Sequence, residues 1–428
     1  MPIMSRRQFL GATGLLATGA GLTALRPAEQ GAVHTAYFAT LSRALTSAGL
    51  AMPTLVLDIE RLRANAARVN AHIGGHMALR LVNKSLPCLS LLDELSKLTG
   101  TQRQMVFSLP YLQLLSKERP DCDVLMGKPL PVAAAARFYQ TLLPSGFDPA
   151  RQLQWLVDTP ERLAEYRQLA RERQQPMRLN FEIDVGLHRG GVADVDTLAT
   201  MARLLNDEPL LQWSGLMGYD AHTEKIPEVM GLRQRARQHA LDTYRQYHEA
   251  MQRLGTRAPA GPLTLNTAGS PTYRLHDGSG AANEVAVGSA MVKASDFDTP
   301  LLSDLTAAAF IATPVLKTSA TFTPPYGVEW LGRAAAAWNP NQRGAVVIHG
   351  GNWLANPVSP EGLEPSGLIG KSSNQQILLG SGRQQLRPDD FVFFRPTQSE
   401  AVLQQFGDIA VFEKGRITAQ WPVFPALV

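Results

Sequence analysis

Cysteine is nearly missing from this chain of 428 residues: Cys88 and Cys122 are its only two. They allow one bridge at most, which excludes a disulfide scaffold. With no CxxC pair and no Cys/His cluster, a structural zinc module is excluded as well. Charge is sparse too, at 18% of residues, and the formal net charge is +4. Three of those charges are Arg6, Arg7 and Arg26, so a chain beginning after Arg26 carries about +1. No basic stripe remains to attract a nucleic acid. Internal repeats and low-complexity tracts are also lacking. The one apolar stretch near the N-terminus is short and Gly-rich, so no stable membrane span is expected.

What is present begins with that stretch. Ser5-Arg6-Arg7-Gln8-Phe9-Leu10, followed by a mildly apolar Gly/Ala/Leu run, looks like a twin-arginine export signal. A Sec signal or a membrane anchor is the alternative. The expectation is a signal over residues 1–28, cleaved between Ala24 and Gln30, that engages the export machinery and delivers a periplasmic protein. Beyond it, 45% hydrophobic residues provide for a large core. The length suits two domains, or one large barrel and a smaller unit.

From Pro53 onward, apolar runs of four to six residues alternate with polar-rich helical stretches. "TLVLDI", "LRLVNK", "QMVFSL", "DCDVLM", "LQWLVD", "RLNFEIDV", "WSGLMGY", "LTLNTAG" and "NEVAVGSA" read as strands. Segments such as "TPERLAEYRQLARERQQ" read as helices between them. About eight strands in alternation predict an α/β unit, a (β/α)8 TIM-type barrel over residues 50–299, with a doubly wound open sheet as the alternative. After Pro300 helical patterns vanish. "AAFIATPVLKT", "GAVVIHGG", "QQILLG", "DDFVFFRP", "DIAVFEKG" and "ITAQWPV" predict a C-terminal β-rich domain over 300–428, with Trp421 and Pro422 in its core. Residues 29–49 are available to pack on it.

In a parallel barrel, functional groups come from the C-terminal ends of the strands. This sequence places Lys84 there, with no acidic residue within five positions. "FEIDVGLHRGG" adds Asp184, His188 and Arg189, and "GYDAH" adds Tyr219 and His222. "NTAGSPTY" adds Asn266, Thr267, Gly269 and Ser270, and "AVGSAM" adds Gly288 and Ser289. The last two are Gly/Ser/Thr turns, whose backbone N–H and hydroxyl groups suit an anion. Late in a barrel, that is where a phosphate commonly sits. A lysine partly withdrawn from water gives up its proton more readily and then forms a Schiff base with an aldehyde. A lysine with its head in water is the other reading. Lysine and anion cradle together suit pyridoxal 5′-phosphate (PLP). Cys88 reads as a small buried residue, and Asp184 as an acceptor for loop N–H groups.

These residues carry a resemblance. "TLVLDIERLRANAARV" followed by "RLVNKS" resembles the opening of the alanine-racemase-like, fold-type III PLP enzymes, within them the D-threonine aldolase and D-serine dehydratase branch. Arg80-Leu81-Val82-Asn83-Lys84 keeps the Arg and Lys of that branch's Arg-Pro-His-x-Lys string. "EIDVGLHRGGV" is similar to its Glu-(Ile/Val)-Asp-x-Gly-x-x-Arg-x-Gly-Val. "GLMGYDAH", "NTAGSPTY" and "NEVAVGSAMVKASDFD" are similar to its later motifs, with Ala290 where a Tyr is usual. The resemblance implies PLP as cofactor on Lys84, Arg189 near the ring's phenolic oxygen, and phosphate on the loops Thr267–Ser270 and Gly288–Ser289. It further implies Tyr219 and His222 along the cofactor face, and a homodimer.

One departure stands out. The branch holds a divalent metal with Pro-x-His-x-(Cys/Asp), but this chain reads Pro396-Thr397-Gln398-Ser399-Glu400. Gln398 is a poor ligand and Glu400 alone is no site, so no metal ligand is assigned. The implied activity is that of a PLP-dependent lyase on small D-amino acids, by retro-aldol cleavage or β-elimination of a β-hydroxy substrate such as D-threonine or D-serine. Lys84, Gln398 and Glu400 are its candidate catalytic residues. A PLP-dependent racemase, or a PLP or amino-acid binder without turnover, are the alternatives.

Overall fold

A computed structural model describes residues 26–258 and 261–425. The twin-arginine stretch, residues 5–10, lies outside the described residues. The chain forms two compact units, both discontinuous in sequence. One comprises residues 55–309, 396–414 and 418–425; the other comprises residues 26–54, 310–395 and 415–417.

The first strand, β1 (Thr54–Asp58), is buried at every position. The sequence counts it with the barrel. Instead, Val56–Asp58 pair in parallel with Ala410–Phe412 of the strand Ile409–Glu413. A fully buried apolar run suits either sheet, so its pattern could not tell the two apart. The barrel proper begins with β2 (Ala78–Val82). It continues through β3 (Arg103–Val106), β4 (Asp123–Met126), β5 (Leu153–Val157), β6 (Met177–Glu182), β7 (Leu211–Gly218), β8 (Thr264–Thr267) and β9 (Glu284–Val287). These eight strands close in sequence order. Ala78–Leu81 pair in parallel with Glu284–Val287, which makes the TIM-type barrel and rules out the open sheet. The strands are apolar on both faces because helices cover the outside and side chains fill the inside.

Local chemistry sets the helix boundaries. Asp58 caps the helix Ile59–Ile73 by accepting the Arg61 N–H at 3.0 Å, and Gly74 ends it in the left-handed region at φ 60°. Leu62, Ala66, Val69 and Ile73, spaced three or four apart, bury one face of it. Thr159 caps the helix Pro160–Arg173 through the Arg162 N–H at 3.1 Å, with Pro in the first turn where no N–H is needed. Cys88 and Cys122 are buried and unpaired.

The other unit is a mixed sheet. Its β10 (Ala309–Ser319) pairs antiparallel with β11 (Gly344–His349). Next along the chain come β12 (Ala355–Ser359), β13 (Glu364–Pro365), β14 (Gln375–Gly380) and β15 (Phe391–Pro396). β11 pairs with β14, and β10 pairs with β15. The helix Ala36–Ser47 belongs to this unit, and Phe38 stacks between Phe310 and Phe393 at centroid distances of 5.2 and 5.0 Å. A second helix, Glu329–Trp338, contradicts the reading that helices end before Pro300. Its Ala334–Ala337 run is strongly helix-favouring, but it is too short to show a repeating apolar face.

The C-terminal stretches also differ from the expected cut. Residues 396–414 and 418–425 pack with the barrel unit, not in a β-rich domain running from 300 to 428. Phe424 anchors the end: it is 2% exposed, meets Tyr111 edge-on at 4.6 Å and donates its N–H to the Pro87 carbonyl at 2.7 Å. Trp421 is only half-buried and Pro422 is exposed, so neither is core. Among the described residues no helix is long and apolar enough to cross a membrane.

Candidate functional site

β2 ends at Val82, and a single 3-10 turn, Asn83–Ser85, carries Lys84. The ammonium lies over the Phe107 ring, 4.9 Å from its centroid, and 3.5 Å from Glu400 Oε1. The acid missing from the local sequence therefore comes from far along the chain. Lys84 is less withdrawn from water than its sequence context suggests, for its side chain is 44% exposed. Glu400 is embedded in hydroxyl groups. It accepts from Ser85 Oγ at 2.7 Å, from Ser399 Oγ at 3.3 Å and, at 3.4 Å, from Ser289 Oγ. Burial alone would push its carboxyl up, but Lys84 and the Ser85 hydroxyl outweigh that and hold it below the usual value.

The turns after β8 and β9 meet in the same cleft. Ser270 Oγ accepts the N–H groups of Gly288 and Ala290, each at 3.1 Å. A hydroxyl has two acceptor positions and one proton, so Ser270 keeps its proton for a further acceptor. The glycines are sterically required. A Cβ on Gly269 would lie 2.5 Å from the Tyr219 ring, and one on Gly288 would lie 2.8 Å from the Cβ atoms of both Val82 and Ser85. Arg189 stacks on Tyr219, its guanidinium carbon 5.0 Å from the ring centroid. The Arg189 loop is shaped by Asp184, which accepts the N–H groups of Gly186 and His188 at 2.9 and 3.0 Å. Gly191, at φ 102°, closes that loop where a Cβ would lie 2.6 Å from backbone atoms.

The cleft has a cavity volume of about 90 Å³ and opens to solvent. Lys84, Arg189, Tyr219, Asn266 and Glu400 line it, and Gly269, Ser270, Gly288 and Ser289 form its turns. Three expected residues do not reach it. Thr267 follows inward-facing Asn266 on β8, so it points the other way, donating its hydroxyl to the Gly218 carbonyl at 3.2 Å. His222 packs behind the loop at Gly186, with its Nδ1 buried and unpartnered. Gln398 donates to Asp296 Oδ2 at 3.0 Å and so ties down the segment that carries Glu400. Sequence reasoning missed Ser85, Phe107 and Ser399. Ser85 adjoins Lys84 and Phe107 follows the end of β3, positions that could have signalled both; nothing local marks Ser399.

These groups fit a phosphorylated aldehyde on a flat ring. Lys84 offers an amine, Ser270 a spare hydroxyl proton beside a glycine turn, and Tyr219 and Phe107 offer ring faces. Among the described residues lining the cleft, Glu400 is the one carboxylate, and Gln398 is committed to Asp296. Among the described residues no group of three or more His, Cys, Asp or Glu side chains gathers at metal-binding spacing.

The family model described as alanine racemase, N-terminal domain, matches residues 57–296. Comparison with curated proteins gives no match. Among solved structures, D-threonine aldolase from Filomicrobium marinum superposes with a TM-score of 0.69 at 17% identity, over 87% of this chain and 94% of that one. D-threo-3-hydroxyaspartate dehydratase from Delftia sp. HT23 gives 0.69 at 16% identity, over 88% and 98%. Alanine racemase from Bacillus anthracis gives 0.64 at 14% identity, over 87% and 98%. At these identities the likeness is one of fold.

Proposed function

The chain belongs to the alanine racemase N-terminal domain family, whose members use pyridoxal phosphate, and from that premise we propose a PLP-dependent lyase acting on D-amino acids with a β-hydroxyl group. One observation carries the reading: Lys84, the Ser270 and Gly288–Ser289 donors and the Glu400 carboxylate share a single cleft. Bound there, PLP supplies an electron sink for the negative charge left at the substrate's Cα. Lys84 provides the nitrogen that holds the cofactor aldehyde and, when the substrate's amine takes its place, a free amine base. Ser270, beside the Gly288–Ser289 turn, would hold the phosphoryl end, and Arg189, steadied by the Tyr219 ring, would meet the ring's phenolic oxygen. Glu400, whose carboxyl is held below the usual value by the Lys84 ammonium while that charge is present and by the Ser85 hydroxyl, would serve the β-oxygen as a base. Taking the hydroxyl proton lets the oxygen form a carbonyl while the Cα–Cβ bond breaks and its electrons pass to Cα. That is retro-aldol cleavage. β-Elimination needs the opposite state, a Glu400 that delivers a proton to the departing hydroxyl.

A racemase is the second reading, favoured by Tyr219, which places another ionisable group in the cleft. Twin-arginine export and a homodimer belong to the same proposal, checked by cell fractionation and light scattering. The test of function has two stages. Purified protein supplied with PLP is expected to show a yellow band that borohydride bleaches, with the adduct in the Lys84 peptide and no band in Lys84→Ala. Protein that stays colourless overturns the reading. D-Threonine, D-serine and D-alanine, with and without EDTA, then sort the outcomes. Glycine and acetaldehyde from D-threonine mark aldol cleavage, a 2-oxo acid with ammonia marks elimination, and an L-amino acid marks racemisation. Unchanged amino acids in every tube mark a binder.

A further inference from the structure

Behind the cofactor cleft runs a buried chain of hydrogen bonds that touches none of the cleft's own space. Thr272 donates its hydroxyl to Asp220 Oδ1 at 2.6 Å and accepts the Gly269 N–H at 3.3 Å. The other oxygen of Asp220 lies 2.8 Å from His276 Nε2. Thr272 is fully buried, Asp220 is 3% exposed, and the His276 side chain is 8% exposed. Asp220 and His276 line a separate cavity of about 310 Å³, between the helix Leu232–Arg253 and residues 275–282. None of the three residues lines the cofactor cleft.

One carboxylate thus holds two ends of the turn that follows β8. It grips Thr272, and through it Gly269, and it grips His276 where the turn leaves. It also follows directly after Tyr219, the ring against which Gly269 packs. The turn needs such a restraint. Ala268 is held at φ 62°, a conformation that a residue with a side chain keeps only when its surroundings impose it. The next residue but one, Ser270, presents the spare hydroxyl proton to the cleft.

We propose that Asp220, Thr272 and His276 form a positioning relay that sets the first phosphate-binding turn from outside the cleft, so that it governs affinity for the phosphoryl group and not for the aldehyde. This rests on the reading that the cleft holds PLP. A relay of this kind makes the cost of breaking it specific to ligands with a phosphoryl group, whereas a general loss of packing weakens any ligand of the cleft.

The experiment compares PLP with pyridoxal, the same aldehyde without phosphate, as titrants of the visible band. The variants are Asp220→Asn, Thr272→Val, Thr272→Ser and His276→Gln, with a melting curve for each. Asp220→Asn and Thr272→Val are expected to weaken PLP by about tenfold, the effect of one lost buried hydrogen bond, and to leave pyridoxal within about twofold of wild type. Thr272→Ser, which keeps the hydroxyl, restores PLP affinity. His276→Gln, which offers a donor, falls between. Equal losses for both aldehydes, or no loss for PLP in Asp220→Asn and Thr272→Val, overturn the relay while leaving the cofactor assignment standing. A wild-type protein that binds neither aldehyde removes the cofactor assignment, and the relay with it. Should Thr272→Val fail to fold, Asp220→Asn and Thr272→Ser, which hardly change side-chain volume, decide the question.

Discussion

Two carboxylates at the C-terminal side of the barrel unit are pulled in opposite directions by their neighbours. Glu400 is held below the usual range because Lys84 and Ser85 together outweigh burial. A group with a depressed pKa stays ionised above it and is lost as pH falls through it. If Glu400 is the base, kcat/KM falls along an acid limb as its carboxylate takes up a proton. Ser85→Ala, which removes a supporting donor, then moves that limb upward, and Glu400→Gln keeps the yellow band while activity falls by about 10²–10⁴-fold. A pH profile of each variant checks this. Glu182, the last residue of β6, is pushed up to about 7, first by burial and then by Asp158, with Arg189 opposing. The folded state here binds the proton more tightly than the unfolded chain. Its stability is therefore fully present below the ordinary carboxyl value of 4.5 and is lost as pH rises toward 7. Glu182→Gln should abolish that loss, worth at most about 3 kcal/mol. Melting temperatures of both proteins at pH 5 and pH 8 test it; an equal pH dependence in the two would contradict the assignment. Lys84 is conspicuous in sequence as a cation closing an apolar strand. Its partner Glu400 is not, because spacing rules read neighbours along one element and this contact joins the turn after β2 to a segment more than three hundred positions away.

At the scale of elements, the barrel strands were legible because each is a compact apolar run with a helical stretch behind it, and the turns after β8 and β9 were legible because both pair glycine with hydroxyl residues. What escaped has a common cause. β1 matches the barrel strands in pattern but pairs elsewhere, β13 is two residues long, and the helix Glu329–Trp338 has too few turns to show a period. Thr267 and Asn266 show the same limit at finer grain: the motif brings both to the turn, and only the pleat of β8 decides which one faces the cleft. The turn after β9 is packed as tightly as backbone allows. Gly288→Ala would drive a methyl group into Val82 and Ser85, and relief by moving that turn costs about 1–3 kcal/mol. Because the turn holds Ser289 and donates to Ser270, the strain should appear as PLP affinity reduced by about tenfold or more. Titration of the visible band measures it. Unchanged affinity in a folded Gly288→Ala protein would mean that this turn is not part of the cradle.

For the molecule as a whole, the barrel's N-terminal end carries a buried ion cluster. Arg80 is completely buried inside the barrel. It donates to Glu284 at 2.5 and 3.0 Å, to the Asp123 carboxylate at 2.6 Å and to two backbone carbonyls. Burial opposes its charge, but Glu284 and Asp123 outweigh burial and keep the guanidinium protonated. Glu284 also accepts from Asn266 Nδ2 at 2.8 Å, so the ion cluster at one end of the barrel reaches a side chain lining the cleft. Removing one partner of a buried pair leaves an uncompensated charge, a far larger penalty than the net worth of the pair itself. Glu284→Gln is therefore expected to lower stability by about 3–5 kcal/mol. The double variant Arg80→Met/Glu284→Gln should recover much of that, because no buried cation is then left without its main partner. Urea midpoints of the single and double variants make the comparison. If the double variant proves no more stable than the single one, the cluster acts by packing rather than by charge, and Asn266 should then hold its place in the cleft without Glu284.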